Sequence, residues 1–98
     1  MSVVFMRAGN PAPGKQIDAL QFTKARAAAA DAAYGTKTTV YTRLGGPTGQ
    51  IVTVTHFANM SELEEVKARI VKDAVAGKLK QQPEGLFAEL QDAIWAPA

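Results

Sequence analysis

The sequence predicts one α+β domain with the order strand, helix, strand, strand, helix, strand and a single antiparallel sheet. Three observations carry this. Six segments follow one another with period-two or helical patterning in that order. The two best strands, Ser2 to Ala8 and Gln50 to Phe57, are mainly apolar on both faces, as strands are when their sheet is covered twice. The chain is 98 residues long, the length of one domain, so residues 1–98 are read as a single unit. The order is that of a ferredoxin-like βαββαβ fold, in which helices cover one sheet face. In so short a chain, the other cover is expected to be a second copy of itself, because a domain of this size buries only about 60–70% of its unfolded surface.

The first strand alternates Val3, Phe5 and Arg7 against Val4, Met6 and Ala8. Residues 9–14, Gly-Asn-Pro-Ala-Pro-Gly, read as a loop. Lys15 to Ala33 reads as a helix, because its alanines are strong helix formers and lose no side-chain entropy on burial. Ile17, Leu20 and Phe22 give it bulk, its alanines permit close approach to a sheet, and Gly35 is placed to end it. Thr36 to Leu44 is rich in β-branched residues and reads as the second strand. Residues 45–49, Gly-Gly-Pro-Thr-Gly, form a hairpin loop. With a five-residue loop, Leu44 pairs with Gln50. Tyr41, Arg43, Thr53, Thr55 and Phe57 then share one face, and Val40, Val52, Val54 and His56 the other. Ser61 and Glu64 are spaced as the N-cap and N3 of a capping box. The second helix then runs to about Ala74 on a Leu63, Val66, Ile70 and Ala74 stripe, with Glu65 placed to pair with Arg69. Gly77 and Pro83 interrupt residues 75–88, which read as short helical pieces. Leu90 to Trp95 is the last strand, and Asp92 is read as an edge position facing solvent.

The composition excludes several functions. There is no cysteine, which removes disulfides, thiolate catalysis and Cys-ligated metal centres. No run approaches the roughly 18–20 apolar residues of a membrane span, and the N-terminus lacks a signal-peptide pattern. A cytoplasmic protein with no membrane partner is expected. Residues 1–50 hold six Lys/Arg and two Asp, and residues 51–98 hold five Lys/Arg and seven Asp/Glu. The basic residues are dispersed over several elements, so nucleic-acid binding is not expected. The asymmetry suits antiparallel self-association.

Four residues stand out for chemistry. His56 is the single histidine. Imidazole titrates near neutrality, so it is the candidate general base, the plainer reading being a structural histidine with one hydrogen bond. One histidine without a second gives no dedicated metal site. Tyr41 and Arg43 project side by side from one strand, a pair able to bind an anionic or phenolic ligand or to sit in an interface. Trp95 is the single tryptophan and can line a pocket mouth or close a dimer seam. The glycine loop joins two strands and opens no helix, so it is a turn and not a phosphate cradle.

The chain resembles the dimeric α+β barrel superfamily, in particular its antibiotic-biosynthesis-monooxygenase-like and NIPSNAP-like small proteins. The resemblance rests on Val3-Val4-Phe5-Met6-Arg7, the Pro13-Gly14-Lys15 approach to the first helix, and residues 40–47, Val-Tyr-Thr-Arg-Leu-Gly-Gly-Pro. Val54-Thr55-His56-Phe57 followed by Met60-Ser61-Glu62-Leu63-Glu64, and the Leu86 to Trp95 ending, complete it. It covers nearly the whole chain as a pattern and includes no diagnostic catalytic motif. It implies a homodimer with two sheets face to face, and a pocket between each sheet and its helices. It also implies either cofactor-free monooxygenase-like chemistry on a small hydrophobic or aromatic molecule or a non-enzymatic dimeric ligand-binding or regulatory module. No cofactor is expected. In the superfamily's haem-degrading branch a histidine sits on a helix, whereas His56 sits on a predicted strand, which argues against haem. RNA-recognition domains share the strand order, but Phe5 and Phe57 alone do not supply their aromatic platform.

Overall fold

The elements are β1 (Val3–Pro11), α1 (Gln16–Tyr34), β2 (Lys37–Thr42), β3 (Ile51–Phe57), α2 (Met60–Val75) and β4 (Phe87–Trp95). They come from a computed structural model that describes residues 1–46 and 49–98. Of the glycine loop, Pro47 and Thr48 lie outside the described residues. The strands form one antiparallel sheet of order β2-β3-β1-β4, so the two strands apolar on both faces are central. This is the ferredoxin-like order expected from the sequence.

β1 is longer than its pattern suggested. Residues 9–11 continue the ladder, with Gly9 opposite Leu90 and Pro11 opposite Phe87, across a register shift between Asn10 and Pro11. The shift puts both Phe87 and Leu90 on the helix side of the sheet, as a bulge does by adding one residue to one strand. Gly9 makes this possible. A Cβ there would meet the Phe87 ring at 2.8 Å and Leu90 Cδ2 at 2.9 Å.

The β2–β3 register differs from the expectation by one residue. Arg43 N–H donates to Gln50 O at 2.9 Å, and Tyr41 lies opposite Val52. The connection is therefore six residues long. Tyr41 moves to the face of Val52, Val54 and His56, and Val40 to the face of Thr53 and Thr55, since a one-residue slip reverses a strand.

α1 ends as expected at Gly35, whose φ of 69° suits a residue without Cβ and whose N–H donates to Asp31 O at 3.0 Å. α2 begins two residues before the expected Ser61. Asn59 is the N-cap, its Oδ1 accepting Glu62 N–H at 2.8 Å, while the Glu62 carboxylate accepts Ala58 N–H at 3.1 Å. Starting at Asn59 adds a half turn and still aims Leu63 and Val66 at the sheet. The short helices expected within 75–88 do not form. That stretch passes through turns, anchored by buried Leu86, until β4 begins at Phe87. Arg69 does not pair with Glu65; its guanidinium lies 5.1 Å over the Tyr34 ring, and Tyr34 Oη donates to Asp73 Oδ2 at 2.6 Å, tying α1 to α2.

The helices cover one sheet face with two separate cores. Val3, Phe57, Leu63 and Val66 are buried under α2, and Ala19, Ile51 and Leu86 under α1. Among the described residues nothing covers the opposite face. It presents Val4, Met6 and Ala8 of β1, Val52 and Val54 of β3, and Ala93 of β4, with Tyr41, His56 and Trp95 toward its edges. Among the described residues, no helix is long and apolar enough to cross a membrane.

Candidate functional site

The helix side of the central strands reads core, polar, polar, core. On β3, Ile51 belongs to one core and Phe57 to the other, with Thr53 and Thr55 between them. On β1, Val3 and Phe5 pack with the α2 core, and Arg7 and Gly9 follow. Polar side chains at inward positions are costly unless they are paired or face a space. Here they floor a cavity of about 160 Å³ between α1 and the sheet. Phe22, Phe87 and Leu90 wall it, and Ala27 and Ala30 roof it, their small side chains leaving the space open. The alanine helix thus does not close on the sheet along its length; within α1 only Ala19 is buried. The volume is far below the about 300–1,000 Å³ of drug-sized pockets and close to the about 150 Å³ that holds a benzene ring.

The polar groups of the cavity differ in how far they are committed. Arg7 donates through Nε and Nη2 to the two Asp92 carboxylate oxygens at 2.7 and 3.0 Å, a fork-to-fork pair linking β1 to β4. Asp92 is exposed on the edge strand β4, as expected, and it is there that it meets Arg7. The hydrogen bond from Arg7 outweighs desolvation and holds its carboxyl below the usual range, and the same bond raises the Arg7 guanidinium. Thr55 Oγ1 lies 3.0 Å from Thr38 Oγ1, and Thr38 Oγ1 donates to Asp31 Oδ1 at 2.9 Å. Asp31 also accepts from Thr36 Oγ1 and Thr38 N–H. Burial alone would raise its pKa, but these three hydrogen bonds lower it, so it stays ionised. Thr23 donates its hydroxyl proton to Ala19 O.

Arg26 is uncommitted. Its guanidinium lies 5.8 Å over the Phe22 ring, and among the described residues it makes no ion pair and no hydrogen bond. Phe22, Arg26 and Ala30 recur at every fourth residue and form a partition. On its far side lies a cleft of about 300 Å³ bordered by Tyr34, Ile70 and residues 78–80.

The four residues singled out from the sequence lie elsewhere. Tyr41, His56 and Trp95 are exposed on the open sheet face, with Val4 between His56 and Trp95 in the ladder. Arg43 lies past the end of β2, donating to Gly45 O at 2.6 Å and Gln50 Oε1 at 3.0 Å. None of them lines the cavity. Sequence reasoning missed Arg7, Arg26, Thr53 and Thr55. The signal was the pair of threonines at inward positions of a central strand, next to an inward arginine on its neighbour.

Comparison with solved structures identifies the architecture. A NIPSNAP family protein from Agrobacterium tumefaciens superposes with a TM-score of 0.76 at 15% identity, covering 100% of this chain and 94% of that one. An uncharacterised NIPSNAP domain protein from Burkholderia xenovorans gives 0.79 at 15% identity, over 98% and 94%. The chain has the ferredoxin-like βαββαβ fold of these NIPSNAP proteins. The haem degrader MhuD of Mycobacterium tuberculosis, with two haems bound in its active site, gives 0.70 at 16% identity, over 95% and 92%. No protein-family model and no curated protein matches the sequence.

The cavity does not suit haem. It is the size of one small ring, its lining has no histidine, tyrosine, cysteine or methionine, and the single histidine projects from the opposite sheet face. No step through haem follows from this chain's residues.

Proposed function

We propose that this chain binds a small single-ring organic acid in the cavity between α1 and the sheet, and that it does so as a homodimer. The observation carrying the first part is Arg26, an unpaired guanidinium at the wall of a ring-sized chamber made of aromatic, aliphatic and hydroxyl groups. A partly desolvated cation without a counter-ion is an anion site in waiting, since a bound carboxylate or phenolate supplies the charge the protein withholds. Phe22 and Phe87 bring aromatic rings into the lining, which suits an aromatic ligand.

Support for pairing comes from the open sheet face. Its apolar side chains form a continuous patch on central strands, and a second sheet packed against it would complete a barrel. In that barrel His56, Tyr41 and Trp95 would line the seam or interior, and any part they take in ligand chemistry would come through the partner subunit.

The finer catalytic reading is cofactor-free, monooxygenase-like oxidation of a substrate that enters already as an anion. Arg26 would hold that anion. A non-enzymatic ligand-binding module is the second reading, and one observation favours it. The carboxylates beside the chamber, Asp31 and Asp92, are both hydrogen-bonded and held below the ordinary range, which makes them poor bases.

Calorimetric titration tests the binding. Benzoate should bind and benzyl alcohol should bind much more weakly. Arg26→Met should weaken benzoate by about 10-fold or more, the value of a charge-assisted hydrogen bond. Equal binding of the acid and the alcohol would remove the reading. Oxygen uptake and product mass, measured on the bound acid in air, separate enzyme from module.

A further inference from the structure

The hydrogen bonds behind the cavity floor have a determined direction. Asp31 is an ionised carboxylate and only accepts. Thr38 Oγ1 therefore spends its single proton on Asp31 Oδ1 at 2.9 Å. The Thr38 hydroxyl can then only accept from Thr55, 3.0 Å away, so Thr55 spends its proton on Thr38. What Thr55 has left for the chamber is lone pairs. Thr23, on the roof, has likewise given its proton to Ala19 O at 2.7 Å. Three of the chamber's hydroxyls, those of Thr23, Thr38 and Thr55, have thus spent their protons and have only lone pairs left to offer, although hydroxyls in general can do either. The ligand groups best matched to them are donors.

We infer that Asp31, acting through Thr38, fixes Thr55 as an acceptor, so that the site selects a hydroxyaryl acid, with its acidic group at Arg26 and its hydroxyl at Thr55. The inference rests on the reading of the chamber as an acid site. Asp31 does not line the chamber; it is a positioning residue, and its effect is on the sense of a hydrogen bond and not on the shape of the site.

Asp31→Asn should reverse that sense. Asp31 Oδ2 accepts the Thr38 backbone N–H, which can only donate, so the amide oxygen of Asn must stay there. The amide nitrogen then takes the place of Oδ1 and donates to Thr38 Oγ1. Thr38 turns its proton to Thr55, and Thr55 turns its own to the chamber.

The test is calorimetry with benzoate, its three monohydroxy isomers and its three formyl isomers, against wild type, Asp31→Asn and Thr55→Val. In wild type one hydroxy isomer should bind about 3–10-fold tighter than benzoate, the worth of one neutral hydrogen bond, and no formyl isomer should. In Asp31→Asn a formyl isomer should gain and the hydroxy isomer lose, an inversion that mere loosening of the fold does not produce. In Thr55→Val, which keeps the shape and removes the hydroxyl, all should bind like benzoate. Thr55→Val carries the test alone if the Asn variant fails to fold. Benzoate binding with no hydroxy preference, or a preference unchanged in the variants, overturns the inference alone. No binding of any of the acids overturns the chamber reading and the inference with it.

Discussion

At the scale of single residues, the helix-side polar groups explain themselves through what they hold. Arg7 and Asp92 close the β1–β4 seam, and the direction of the Asp92 shift fixes the pH behaviour of that seam. A carboxyl whose folded pKa lies below its ordinary 3.8 favours the folded state when ionised. That stability is fully present above the unfolded value and disappears as pH falls through the folded one. Asp92→Asn should therefore unfold at lower denaturant than wild type near neutrality, with the gap narrowing as pH drops from about 5 toward 2. A gap independent of pH would mean that Asp92 acts by shape and not by charge. Gly9 makes a different demand. Gly9→Ala would drive a methyl into Phe87 and Leu90, and overpacking of this kind costs about 1–3 kcal/mol, read from a chemical denaturation midpoint. Displacing Phe87 would also shrink the chamber, so benzoate affinity should fall with stability.

At the scale of elements, two departures from the expected boundaries have local causes. Two Asx/Ser-x-x-Glu pairs, Asn59 with Glu62 and Ser61 with Glu64, compete to start α2, and the sequence pattern alone does not rank them. The fold uses Asn59, because β3 ends at Phe57 and the chain turns at once. Asn59→Ala should cost about 0.5–2 kcal/mol, and Ser61→Ala should stay within about 0.5 kcal/mol. Comparable losses in thermal denaturation would contradict the assigned cap. The β2–β3 register depends on how many residues close the hairpin, and a glycine-rich turn accepts five or six with equal ease. That one residue decides whether Tyr41 joins the Val52 face or the Thr53 face. The strands themselves were legible from β-branched alternation, whereas their offset is a property of the closed loop.

At the scale of the whole molecule, the helices leave one face of the sheet open. Its residues are apolar for the same reason that those beneath the helices are: both surfaces lie on central strands. Val54→Glu places a charge amid this face, opposite Met6 and Thr39. Light scattering coupled to size exclusion should show wild type as a dimer and Val54→Glu as a monomer that retains its secondary structure by circular dichroism. A monomeric wild type would refute the paired-sheet reading.

What the sequence determined by itself was the order of elements, the fold class and the two-sided apolar character of β1 and β3, because these follow from local propensity and side-chain period, which each segment carries alone. What only the tertiary structure decided was the site. The cavity exists because Ala27 and Ala30 of α1 come to rest over Thr53 and Thr55 of β3, between two cores that draw the helices to either end of the sheet. Arg26 is notable because no carboxylate reaches it, and Thr55 because the Thr38 hydroxyl lies 3.0 Å from its own. Such statements concern distances between residues far apart in the chain, and neither composition nor spacing encodes them. The histidine, tyrosine and tryptophan that looked most chemical lie on the opposite face for the same reason: reactivity is a property of a residue type, and placement a property of the fold.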